Sequence, residues 1–149
     1  MKEPIKINGN VSSGGQPSEA ELSQMKASGI GTIINLRRSG EQNQPLDPQA
    51  EGDVAKRMGF AYVHNPVDPK NLQPAQAEAV AKAISAAPGL VYIHCAAGGR
   101  ANTHALLAEA TAAGQSADQV LAKAEAIGAP ITDEGFKAFV RTVAGDGKK

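Results

Sequence analysis

The chain has 149 residues, enough for one domain with a core of its own. Lys plus Arg and Asp plus Glu both total 15, so the formal charge is zero, and only 3% of residues are aromatic. Neither a basic field for nucleic acid or anionic membrane nor a set of base-stacking platforms is present. One cysteine excludes an internal disulfide. No apolar run approaches the roughly 20 residues of a membrane helix. The opening "MKEPIKINGN" has no signal-type apolar region. These features predict a cytoplasmic protein, although an exported protein trimmed of its signal would share them. The whole of 1–149 reads as a single domain ending in a polar tail at about 144–149. Its alanine-rich helices leave oligomeric state open, since they can pack internally or on a partner.

In chain order, "VSSGGQPSEAEL" predicts a short extended piece, a glycine turn and a helix start, with Ser18 and Glu21 as a capping box. Leu22 and Met25 share one face of that helix, and Gly29 stops it. The β-branched "TIINL", Thr32–Leu36, predicts a buried strand. Pro48 opens a helix through Ala50, Val54 and Met58. "FAYVH" predicts a strand over residues 60–64. Pro74 starts a long helix bearing Ala77, Val80, Ala81 and Ile84. "LVYIH", Leu90–His94, predicts another buried strand, with a helix after Arg100. Ser116 with Gln119 caps a further helix. Thr132 is the expected cap of the last, whose apolar face is Phe136, Phe139, Val140 and Val143.

Strand and helix alternate, which predicts an α/β fold: one three-layer domain with a central, mostly parallel, four- to five-stranded sheet and helices on both faces. Ligands of such sheets bind beyond the carboxyl ends of the strands. The loops after Leu36, His64 and His94 bring Arg37 and Arg38, Asp68, and Cys95 with Arg100 to that edge.

The segment "HCAAGGR" follows a strand and precedes a helix. Loop amides there can form an anion nest, and the helix N-terminus adds free N–H groups and a positive dipole end. Both favour a thiolate, the reactive form of cysteine. Ala96, Ala97, Gly98 and Gly99 let backbone approach a ligand closely. Arg100 has the planar fork to hold two oxygens of an oxyanion. Against this stands an inert reading: a lone buried cysteine, a Gly-Gly turn and a solvated arginine. Three histidines and one cysteine without ligand spacing argue against a metal site. Adjacent His94 and Cys95 also point to opposite faces of an extended segment. Arg37 and Arg38 read as a solvated strand end, and His104 as structural; His64 ends a strand at the same edge.

"HCAAGGR" resembles the H-C-x5-R loop of cysteine-dependent phosphatases, shortened by one residue. It is similar to the loop of the small phosphatase-like domains related to beta-lactamase-hydrolase-like proteins. "SSGGQPSEAEL", "GIGTIINLR" and "PVD" after a strand resemble the same family over roughly residues 11–113. The resemblance implies a cysteine-phosphatase-like fold and hydrolysis of a phosphorylated small molecule or protein, without metal or cofactor. It implies Cys95 as nucleophile, Arg100 as phosphate clamp, His94 as support and Asp68 as general acid; Asp47, which like Asp68 precedes a proline, is the reserve candidate for that last role. Ala96, Ala97, Gly98, Gly99, Arg100 and Ala101 would bind the phosphate, and Arg37 of "NLR" would add positive potential. Such phosphatases carry Ser or Thr directly after the arginine; here Ala101 stands there, followed by Asn102 and Thr103. Thr103 substitutes only if the helix start is shifted, which implies slow turnover rather than lost binding. Rhodanese-type sulfurtransferases also resemble the six-residue cysteine loop, so a persulfide carrier and a phosphate-binding module remain as alternatives.

Overall fold

The computed structural model describes residues 3–146. The five strands are β1 (Ile5–Lys6), β2 (Val11–Gly14), β3 (Ile30–Asn35), β4 (Ala61–His64) and β5 (Leu90–His94). The helices are α1 (Glu19–Ala27), α2 (Pro48–Arg57), α3 (Pro74–Ala86), α4 (Gly99–Ala113), α5 (Ala117–Ala126) and α6 (Glu134–Ala144). One sheet runs β1-β2-β5-β3-β4, parallel throughout except for antiparallel β1, which the sequence pattern did not single out. The α/β architecture with helices on both faces is the expected one.

Alternation along the central strands divides the interior in two. Ile33 and Tyr92 point to one face, where Leu22 and Met25 of α1, Val54 and Ala55 of α2, and Phe60 cover them. Ile34, Val91 and Ile93 point to the other, under Ala77 and Val80 of α3, Leu106 and Leu107 of α4, Val120 of α5 and Phe139 of α6. Capping boxes close the first turns of α1 (Ser18, Glu21) and α5 (Ser116, Gln119) as expected.

Two local expectations are corrected. The cap of α6 is Asp133, whose carboxylate accepts from the Phe136 amide, and not Thr132. An ionised acceptor one residue nearer the first turn also meets the helix dipole. The inward face of α2 is Glu51, Gly52, Val54 and Ala55, with Ala50 only half-buried. Of the tail at 144–149, Ala144 belongs to α6, and residues 147–149 lie outside the described residues. No helix among the described residues is long and apolar enough to cross a membrane.

Candidate active site

Because β3, β4 and β5 are parallel, the three loops expected to converge do so at one sheet edge. Cys95 extends the ladder one step beyond β5, its amide donating to Gly14 O at 3.2 Å. The chain then turns through Ala96 and Ala97 to Gly98, whose φ of 116° is a conformation that glycine adopts without penalty. That turn aims the Gly98 amide at the Cys95 sulfur, 3.1 Å away. Gly98 is also the N-cap residue of α4, so the unpaired amides of the first helical turn begin beside the sulfur. Cys95 is 2% exposed, with Ala96, Ala97 and Gly99 as the exposed members of its loop and Ala101 buried beneath.

The N-terminal glycines make room for this loop. A Cβ on Gly15 would meet Ala96 O at 2.9 Å, and one on Gly14 would meet the Tyr92 hydroxyl at 2.7 Å. The close approach lets Gln16 N donate to Ala96 O, at 3.1 Å.

Arg100 is 8% exposed and held on two sides. Its Nη1 donates to Glu41 Oε2 at 2.7 Å and to Val67 O at 2.9 Å, and Nη2 donates to Glu41 Oε1 at 2.8 Å. Hydrogen bonding to Glu41 raises the basicity of Arg100 against the opposite pull of burial, and the nearby Cys95 sulfur adds to the rise. Burial alone would push the Glu41 carboxyl up. Hydrogen bonds from Arg100, the Arg38 amide and Arg37 outweigh it and hold the group at about 2.

Arg37 is not a solvated strand end. It is 1% exposed, and its guanidinium donates to Glu41 Oε1 (3.0 Å), Gln16 Oε1 (3.0 Å), Asn43 O (3.3 Å) and Gln42 O (2.7 Å). So many internal acceptors make burial of the charge tolerable. Arg38 is the exposed member of the pair, and its Nη1 lies 3.9 Å from Asp68 Oδ2. Asp68 stands next to Val67, the residue whose carbonyl meets Arg100. Its Oδ1 accepts from the Lys70 amide at 2.9 Å. Asp47 caps α2 through the Ala50 amide and is occupied there.

The three histidines separate. His64 Nε2 donates to Arg37 O at 2.6 Å. His104 Nδ1 donates to Arg100 O at 2.8 Å, while its Nε2 is buried without a partner, and burial lowers its basicity. His94, fully buried, lies on the α2 face between Glu51 Oε2 (2.6 Å) and Cys95 O (3.1 Å). Thr103 is buried where α4 meets the segment before α6, lining a cavity of about 250 Å³ with Gly99, Asn102, Pro130, Ile131 and Phe136. A wider cavity of about 490 Å³ lies between α3 and α4, around Asn10, Ala81 and Ala112. Cavity size alone therefore does not lead to Cys95.

Four participants escaped the sequence reading: Gln16, Glu41, Glu51 and the Val67 carbonyl. Glu51 left a signal, since it shares the inward face of α2 with Val54 and Ala55. Glu41 sits in a polar loop, where no periodicity marks it.

Residues 6–112 match the model of the phosphatase-like domain of beta-lactamase hydrolase-like proteins. A beta-lactamase hydrolase-like protein of Xylella fastidiosa (strain Temecula1) is 35% identical over 125 residues, covering 83% of this chain and 29% of the relative. One from Agrobacterium fabrum is 35% identical over 107 residues, covering 71% of this chain and 25% of the relative. The chain thus spans less than a third of the length of the curated relatives it matches. Among solved structures, Tk-PTP in its active form superposes with a TM-score of 0.79 at 20% identity, covering 96% of each chain. The fold is thus that of the cysteine phosphatases, and the chain belongs to the family of phosphatase-like domains of beta-lactamase hydrolase-like proteins.

Proposed function

We propose that this chain hydrolyses phosphate monoesters through a phosphocysteine intermediate, on a phosphorylated small molecule or protein. The observation that carries the reading is the Gly98 amide 3.1 Å from the Cys95 sulfur at the head of α4, beside an Arg100 that Glu41 and Val67 hold still. An amide donor and a helix N-terminus favour the thiolate over the thiol. Glu41 takes the Nη1–Nη2 edge of Arg100, which leaves the Nε–Nη2 edge to grip two phosphate oxygens.

In the first step the Cys95 thiolate attacks phosphorus and the bond to the ester oxygen breaks. Asp68 gives its proton to that oxygen, which leaves as the alcohol. In the second step Asp68, now a carboxylate, takes a proton from water; the water oxygen attacks phosphorus, and the S–P bond breaks to return thiolate and inorganic phosphate. Loop amides and Arg100 stabilise the equatorial oxygens in both steps. The Asp68 side chain is 40% exposed and its 3.9 Å pairing with Arg38 is loose; turning the carboxyl toward the substrate gives up the hydrogen bond that its Oδ1 accepts from the Lys70 amide. Ala101 leaves the departing thiolate of the second step without a hydroxyl beside Arg100, which makes breakdown of the intermediate the slow step.

An aryl phosphate assay tests the reading. Cys95→Ser abolishes hydrolysis, and Asp68→Asn slows it on the order of 10²-fold. Hydrolysis indifferent to Cys95→Ser would overturn the proposal. Thiocyanate formed from thiosulfate and cyanide, insensitive to Asp68→Asn, would instead assign sulfur transfer. A gain in thermal stability with phosphate, but no turnover, would assign a binding module.

A further inference from the structure

Glu51 projects from α2 into the protein and is fully buried. A carboxylate there costs several kcal/mol of lost hydration unless it is compensated. Its two oxygens have separate partners: Gln16 Nε2 donates to Oε1 at 2.6 Å, and His94 Nε2 lies 2.6 Å from Oε2. The other ring nitrogen of His94 lies 3.1 Å from the Cys95 carbonyl, which can only accept. Nδ1 therefore carries a hydrogen, and a carboxylate at Glu51 requires one on Nε2 as well.

We infer that Glu51 is a positioning residue: it holds His94 as an imidazolium against the backbone of Cys95, and that fixed positive charge favours the thiolate. The inference rests on the reading of Cys95 as the nucleophile. Glu51 touches neither substrate nor sulfur and acts through His94. Its other oxygen extends the same hold to the far side of the site. Gln16 Oε1 accepts from Arg37 Nη1 at 3.0 Å, Arg37 Nε donates to Glu41 at 3.0 Å, and Glu41 grips Arg100. One buried carboxylate thus ties the strand end before the cysteine to the arginine after it.

The other titratable groups around the pair are neutral phenols or already engaged. Tyr92 stacks on His94 with ring centroids 6.0 Å apart, and its hydroxyl donates to Gly15 O. Tyr62 packs against Gly52 of α2 and donates to Pro48 O. Burial raises both phenols above their ordinary range. Among the charged groups nearby, Glu21 acts on the Tyr92 phenol and Asp47 on the Tyr62 phenol, and Arg37 reaches the pair through Gln16.

Glu51→Gln in the full chain isolates the charge. The new amide oxygen still accepts from Gln16, and its NH₂ donates to Nε2 of a neutral His94, whose Nδ1–H stays on Cys95 O. The packing and hydrogen bonds survive, and the imidazolium does not. Two readouts decide: ¹⁵N shifts of the His94 ring, and alkylation of Cys95 by neutral iodoacetamide at about pH 6, below the ordinary thiol range. The expected result is two protonated ring nitrogens in the unaltered chain. In Glu51→Gln one nitrogen becomes bare, alkylation slows about ten-fold, and kcat for an aryl phosphate falls more than KM changes. A bare ring nitrogen in the unaltered chain, or equal alkylation rates in the two proteins, would overturn the inference. The ring signature is read without any substitution, so it decides even where the variant folds poorly. An unaltered Cys95 that alkylates no faster than glutathione would instead bring down the nucleophile reading, and this inference with it.

Discussion

His94 and Cys95 are neighbours, yet they enter different interiors. Toward α2, His94 meets Glu51, whose other oxygen accepts from Gln16, and Gln16 in turn accepts from Arg37. Toward α4, Cys95 is packed among apolar residues that include Ile93, Ala101 and Ala105. The pleat of an extended segment sends successive side chains to opposite faces, so one strand end feeds both. The polar side supplies charge and orientation to the loop of Cys95. The apolar side supplies the rigid bed on which the loop and the first turn of α4 rest. A site that must hold an anion without reorganising draws on both.

If the division is right, damage on the polar side lowers activity more than stability, and damage on the apolar side does the reverse. Arg100→Lys removes the planar fork at the junction of the two and is expected to lower kcat/KM for an aryl phosphate by about 10³-fold. Leu106→Ala, in the apolar bed, is expected to cost about 3 kcal/mol in urea unfolding. Under native conditions it leaves the alkylation rate of Cys95 close to that of the unaltered chain. An equal loss of thiol reactivity in Leu106→Ala would erase the distinction.

Glu41→Gln sharpens the comparison on the polar side. One charge facing Arg37, Arg38 and Arg100 is removed, and kcat/KM is expected to fall about ten-fold, the worth of roughly 1.4 kcal/mol. The same carboxylate predicts a pH dependence. Its folded value of about 2 lies below the ordinary 4.5, so the unfolded chain binds the proton first. The stabilisation is present above 4.5 and is lost as pH falls from there toward 2. Acid titration of urea stability should be shallower in Glu41→Gln over that window. The smallest effect concerns His104, whose basicity burial lowers from the ordinary 6.5. Below that value the unfolded chain takes up a proton that the folded one resists, so stability declines. His104→Asn is expected to flatten the slope between pH 7 and 5, measured by thermal unfolding at each pH.

Much of this arrangement is legible in the sequence because it depends on local rules. Capping boxes, the β-branched strand "TIINL", and prolines ahead of helices specify elements within a few residues. Parallel strands then fix which loops share an edge. The motif "HCAAGGR" is readable for the same reason, since strand, turn and helix start are contiguous. What was not legible depends on distant pairing. Gln16 meets Glu51 and Arg37 across three elements, and nothing in "SSGGQP" alone signals it. Arg37 looks solvated at a strand end until Glu41 and the carbonyls of Gln42 and Asn43 fold over it. Asp133 prevailed over Thr132 as a cap because one residue of phase in a helix start is below what spacing resolves.

The most direct test of the account is to trap the intermediate. The chain is mixed with a radiolabelled aryl phosphate, quenched in acid within a turnover, digested and mapped. The account predicts label on the peptide carrying Cys95, absent in Cys95→Ser. It also predicts a slow second step, for want of a hydroxyl at Ala101, so that label should build up in the unaltered chain. Hydrolysis that proceeds with no labelled cysteine, and that survives Cys95→Ser, would contradict it.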